Sequence, residues 1–178
     1  MRRKISIIAA VVLVIVFYLL IQGAQKKQMS PTPTPVSASW EGITPGLTSV
    51  DEAKKILGSP IAESGNILDY VSKSPTENDK IVSENGKVIF VRHVIAQGDD
   101  TSTKQITKKY GLAPVHLYGP ESSAGIDLFV YPAVGIAYLG NQSQDFLFEI
   151  WYFQPMPQEQ FIEKWARGYS TTIEQVGF

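Results

Sequence analysis

Two stretches of the chain carry the same helix punctuation 53 residues apart: "TSVDEAKKILG" from Thr48 to Gly58 and "TSTKQITKKYG" from Thr101 to Gly111. In the first, Ser49 and Glu52 stand three apart, the spacing at which a hydroxyl and a carboxylate satisfy the free amides of a helix start. Val50, Ala53, Ile56 and Leu57 then fall on one helical face. Gly58 supplies a stop and Pro60 forbids continuation. In the second, Ser102 and Gln105 repeat the box and Gly111 repeats the stop, while Pro114 stands one residue later than the shift would place it.

The segments C-terminal to each helix repeat as well. After the first come "NILDYVS", "DKIVS" and "KVIFVRHVIA", the last two flanking Asn85-Gly86, a pair that tolerates the positive φ of a tight hairpin. After the second come "IDLFVYP", "VGIAYLG" and "DFLFEIWYF", with Gly140-Asn141 read as the matching corner. These runs predict an α+β fold of two tandem helix–strand–hairpin modules, about 43–97 and 98–169. The modules form one antiparallel sheet with helices packed on one face, because a small sheet is more stable when joined to a neighbour. "MPQEQFIEKWARGYS" reads as a third helix. Pro157 suits its first turn, and Phe161, Ile162, Trp165, Ala166 and Tyr169 form its apolar stripe.

The stretch "GLTSVDEAKKILGSP" resembles the helix signature of the SmpA/OmlA (BamE-like) lipoprotein family, in which Gly and Thr precede a helix ending in Leu-Gly-x-Pro. A tandem pair of such units is similar to the β-lactamase inhibitor protein (BLIP-like) fold. That resemblance spans about Gly46 to Phe153 and implies helices on one face of a continuous sheet and a protein-binding role. The lipoprotein cysteine and the inhibitor's disulfides have no counterpart here, and no known binding residue of either group maps onto this chain.

The first 25 residues read differently. "ISIIAAVVLVIVFYLLI", residues 5–21, is uncharged and apolar. At about 1.5 Å per residue it reaches about 25 Å, a short membrane span. Ala24 as a cleavage site would put Gln22 at −3, and Gly23 would put Ile21 there, so an uncleaved signal anchor is the expectation and a cleaved signal peptide the alternative. Arg2, Arg3 and Lys4 outnumber Lys26 and Lys27 and favour the N-terminus inside. The expectation is a single-pass protein of the cytoplasmic membrane that contacts the lipid bilayer through 5–21. Residues 26–39, including "MSPTPTPVSAS", are a Pro/Thr-rich stalk. Residues 40–178 are an extracytoplasmic domain.

Five of the 16 Lys and Arg precede position 31, leaving 11 against 17 Asp and Glu, a net of −6. Such an acidic domain argues against a nucleic-acid partner. There is no cysteine, which removes disulfides and thiolate chemistry together. Catalytic and phosphate-cradling motifs are absent, and nothing implies a cofactor or a metal. His93 sits in a strand pattern with Ile89, Val91 and Ile95, and His116 in "PVHLYGP" at a strand end or loop. Asp51-Glu52 and Asp99-Asp100 suit helix starts. Asp127 and Glu149 are the one carboxylate pair considered for glycoside hydrolysis.

The second module carries a surplus of aromatics. Strict alternation puts Asp127, Phe129 and Tyr131 on one face and Ile126, Leu128 and Val130 on the other. In "DFLFEIWYF", Leu147, Glu149, Trp151 and Phe153 alternate with Phe146, Phe148, Ile150 and Tyr152. Phe129, Tyr131, Glu149, Trp151 and Phe153 are thus candidates for a protein-binding face with aromatic anchors and one acid. The alternative is that helix three, through Phe161 and Trp165, covers these aromatics as core. The functional expectation is a membrane-anchored envelope adaptor or inhibitor-like module that binds a protein through its sheet. The rivals are a cell-wall-directed enzyme and a structural subunit of an envelope assembly.

Overall fold

A computed structural model describes residues 37–96 and 98–173. The expected membrane segment at 5–21 and most of the stalk lie outside these residues. Among the described residues no helix is long and apolar enough to cross a membrane.

The capped helices form where their punctuation places them: α1 spans Val50–Leu57 and α2 spans Thr103–Tyr110. The Ser49 hydroxyl accepts from the Glu52 N–H, and the Glu52 carboxylate accepts from the Ser49 N–H at 2.8 Å. These hydrogen bonds hold the Glu52 carboxyl below its ordinary range. The Ser102 hydroxyl likewise accepts from the Gln105 N–H. Gly58 and Gly111 end the helices at φ 85° and 82°.

Four strands come after each helix. β1 (Ala62–Ser64), β2 (Ile67–Tyr70), β3 (Asp79–Glu84) and β4 (Lys87–Val94) pair in sequence, and so do β5 (Val115–Leu117), β6 (Asp127–Tyr131), β7 (Ile136–Asn141) and β8 (Phe146–Phe153). The two meanders join through β4 and β8, which pair antiparallel, so one eight-stranded sheet runs β1-β2-β3-β4-β8-β7-β6-β5. The short edge strands β1 and β5 were not expected as strands. Three residues give little periodicity to read.

The last hairpin of each meander carries a bulge at the same place. Val82 pairs with Phe90 and Ser83 with Val88, leaving Ile89 as the extra residue; Leu139 pairs with Glu149 and Gly140 with Leu147, leaving Phe148. A bulge exchanges the faces of the residues beyond it. Gly140-Asn141 is therefore not the corner: both residues belong to β7, and the turn is made by 142–145.

α1 and α2 bury Ala53 and Ile106 against Leu68, Ile81, Val91, Tyr138 and Ile150, on what we call the inner face. Residues 38–48 complete that layer. The Ala38 N–H donates to Val134 O at 2.9 Å and the Gly46 N–H to Val88 O at 2.7 Å. Ala38 is already core, two residues ahead of the expected domain boundary.

The expectation of helices on one face is corrected by α3 (Gln158–Trp165), which packs on the outer face. Its Phe161 sits in a cluster with Leu117, Leu128, Val130, Ala137, Trp151 and Phe153. The inner face was already filled. Only four residues, Gln154 to Pro157, separate β8 from α3, so the chain turns directly onto the outer side of the strands it has just left.

Candidate recognition surface

The structure divides the five sequence-selected residues between the two faces. Phe129 pairs across β7 with Tyr138 and through it with Ile150, and Tyr131 pairs with Ile136 and through it with Tyr152. Residues directly opposite share a face, so Phe129 and Tyr131 belong to the inner core. Trp151 pairs with Ala137, and through it with Val130, on the outer face. The assumed register was therefore one residue out. Sequence alternation fixes parity within a strand but not between strands.

Nor are the four aromatics free to bind. Phe129, Tyr131, Trp151 and Phe153 are all buried. Phe129 stacks on Tyr138 with ring centroids 5.0 Å apart. The Tyr131 hydroxyl donates to Gly111 O at 2.7 Å and so anchors the end of α2, and burial pushes its phenol up to about 12. Phe153 packs on Phe161 at 4.5 Å, as the covered-core alternative expected. Glu149 is only partly covered. It receives the Trp151 indole N–H at 2.6 Å and the Arg92 guanidinium at 2.7 Å, and the same Arg92 nitrogen reaches Glu77. This polar knot sits where the two meanders meet.

Asp127 and Glu149 lie on opposite faces, since Asp127 pairs with Gly140 while Glu149 pairs with Leu139. The carboxylate pair considered for glycoside hydrolysis is thus not assembled. The histidines pair with separate acids. The His93 ring lies 3.0 Å from Asp79 and packs at a tilt against Trp40, and the His116 ring lies 2.8 Å from Asp127. Among the described residues no three His, Asp or Glu converge as metal ligands.

A different surface stands out beside the region that α3 covers. α3 spans the outer face over β5 to β8 and ends where Trp165 stacks on Phe90 of β4 at 4.3 Å. Beyond it, among the described residues, no helix covers the outer face of β2, and α3 reaches β3 through Val82 and the Lys164–Glu84 ion pair. Ile67, Asp69, Lys80 and Val82 are partly buried there, with Arg92 at the border. The positions facing the same way in the second meander, Leu128, Val130 and Ala137, are 0% exposed. Asp69 stands across from Lys80, whose Nζ is 3.9 Å from its Oδ1. Sequence reasoning passed over Ile67 and Lys80 because it followed the aromatic surplus of the second module.

No protein-family model matches the sequence, and no curated protein matches it. The chain is similar to the crystal structure of a DUF4309 family protein (YjgB) from Bacillus subtilis, with a TM-score of 0.45 and 10% identity, covering 68% of this chain and 88% of that one. A likeness of that depth carries no functional argument.

Proposed function

We propose that the chain is a membrane-anchored, extracytoplasmic protein-binding module of the cell envelope, tethered by residues 5–21 and held off the bilayer by its Pro/Thr stalk. Recognition runs through the open half of the outer face: Ile67 and Val82 as its apolar centre, Asp69, Lys80 and Arg92 as its polar surround. The observation that carries this reading is the unequal cover of the sheet. An apolar centre in a polar, charge-paired border is the make-up of a non-obligate protein interface. The surface is neither basic enough for nucleic acid nor apolar enough for a lipid surface. The partner is accordingly a folded envelope protein with its own mixed-charge patch.

The duplicated helix-and-meander order supports kinship with BamE-like and BLIP-like architectures, and that kinship is part of the proposal. So is duplication of a single ancestral module, supported by the matching caps and bulges.

The reading is tested with a photo-crosslinking residue placed in the full chain, in cells, at Ile67, at Val82 and at the α2 control position Lys108. The expected result is one discrete protein adduct from both sheet positions and none from the control. The captured partner, once purified, should bind the full chain at least tenfold more weakly when Lys80→Glu is introduced. Adducts that are absent, or the same from all three positions, overturn it.

A further inference from the structure

Far from the open half, beyond strand β5, the chain builds a second concavity that the protein-binding reading does not use. Past Leu117 the backbone pairs with the segment after α3: the Tyr118 N–H donates to Ser170 O at 2.7 Å and the Ser170 N–H to Tyr118 O at 2.8 Å. Between this pairing and the loop at 119–123 opens a cleft of about 780 Å³, inside the size range of small-ligand sites. Gly119 makes the cleft possible, because a methyl group there would run into the Tyr169 ring.

Asp127 forms part of its wall, and its carboxylate is held in place from two sides. Oδ1 accepts the Ser122 hydroxyl, which itself accepts the Gly119 N–H at 2.7 Å; Oδ2 faces His116 Nε2 at 2.8 Å. A carboxylate offers about four lone-pair positions, so roughly half remain for a ligand. The rings of Tyr118 and Tyr169, the hydroxyls of Ser123, Ser170 and Thr172 and the apolar Pro120 and Ile173 add to the lining, and among the described residues no Lys or Arg contributes to it. The His116 ring is itself sandwiched between Tyr118 at 4.4 Å and Phe129 at 4.6 Å, which ties the site to the inner core.

The lining discriminates among ligand classes. Phosphate or carboxylate ligands would face Asp127 with no cation to offset the repulsion. A wholly apolar ligand would cover a carboxylate without satisfying it, which is costly. A ligand that carries hydroxyl donors on its edge and a C–H face for the tyrosines meets both demands. We infer that this cleft binds a neutral carbohydrate, with Asp127 accepting from a sugar hydroxyl and Tyr118 and Tyr169 lying along the ring. Glu149, the acid first considered as the partner of Asp127 for hydrolysis, stands on the other face of the sheet, so the inferred role is one of binding.

The test titrates the full chain in detergent with four neutral probes, chitotriose, cellotriose, maltotriose and mannotriose, by calorimetry at millimolar ligand. At least one is expected to bind saturably. Two variants separate binding from folding. Asp127→Ala removes the acceptor, and Thr172→Trp fills the mouth from an exposed position without touching the core. Each should weaken binding tenfold or more, while Lys108→Glu on α2 leaves it unchanged. No binding by any of the four sugars, or binding undiminished in folded Thr172→Trp, overturns the inference.

Discussion

The two halves of the outer face are built on the same meander, with a bulge at the same place, and end in opposite conditions. Over the second meander α3 drives Phe161 into a layer of Leu128, Val130, Ala137, Trp151 and Phe153. Over the first, Ile67, Asp69, Lys80 and Val82 face outward and stay partly buried, and among the described residues only the end of α3 reaches them. The difference shows that one order of strands can carry two kinds of cover. Strands buried on both faces read as nearly continuous apolar runs, as "IDLFVYP" and "DFLFEIWYF" do, whereas "ILDY" and "DKIVSE" place Asp69 and Lys80 among their outward-facing residues. The aromatic surplus of the second meander is the demand of a second core layer, not of a partner.

The sharpest way to break this comparison is to remove the plug. Phe161→Ala should cost about 3–5 kcal/mol, the usual loss on truncating a buried Phe, read by denaturant unfolding of the full chain. Ile67→Ala on the open half should cost about 1 kcal/mol or less by the same measurement. Equal losses would mean that the halves are not differently covered.

A second contrast lies in how the two helices are fastened. α1 meets its hairpin turn through the backbone, the Val50 N–H donating to Gly86 O at 3.0 Å. α2 instead uses a side chain: Asp145 in the β7–β8 turn accepts from the Lys104 N–H at 2.9 Å and the Thr103 hydroxyl at 2.8 Å. Each helix also has its own serine cap, so Ser49→Ala and Ser102→Ala should each cost about 1 kcal/mol.

The Asp145 fastening should be sensitive to acid. Those hydrogen bonds pull its carboxyl from the ordinary 3.8 down to about 2. A depressed folded-state value stabilises above the unfolded value and is lost as pH falls toward the folded one. Thermal unfolding of the native chain should therefore lose this contribution between about pH 4 and pH 2. Asp145→Asn should unfold at a lower temperature at neutral pH, and the gap to the native chain should close across that window. A gap that stays constant would show that Asp145 does not fasten α2. The smallest expected effect is on the open half, where Lys80→Glu should shift stability by no more than about 0.5 kcal/mol while weakening partner binding.

Much of this architecture was legible in the sequence. The caps at Ser49, Gly58, Ser102 and Gly111, the Asn85-Gly86 hairpin and the stripe of α3 rest on local chemistry that neighbouring residues specify. Register between strands was not legible. The extra residues Ile89 and Phe148 leave no mark in an alternation pattern, and the pairing of β6 through β7 to β8 is set by long-range contacts. That is why Phe129 and Tyr131 were placed with Trp151 and Phe153, although the sheet lies between them. Asp145 was missed as the α2 fastening for the same reason, since it acts 41 residues away from Lys104. The open half was not legible because the cover of one half by α3 says nothing of the other until the strand order is known.

The absence of any native cysteine allows the most direct test. Single cysteines are introduced at Lys80 on the open half and at Ala137 beneath α3, in the full chain in intact cells, and exposed to a membrane-impermeant maleimide. Rapid labelling is expected at position 80, with labelling at position 137 only after unfolding. Equal labelling at both positions, or none at position 80 until the cells are opened, would contradict an extracytoplasmic sheet that α3 covers on one half alone.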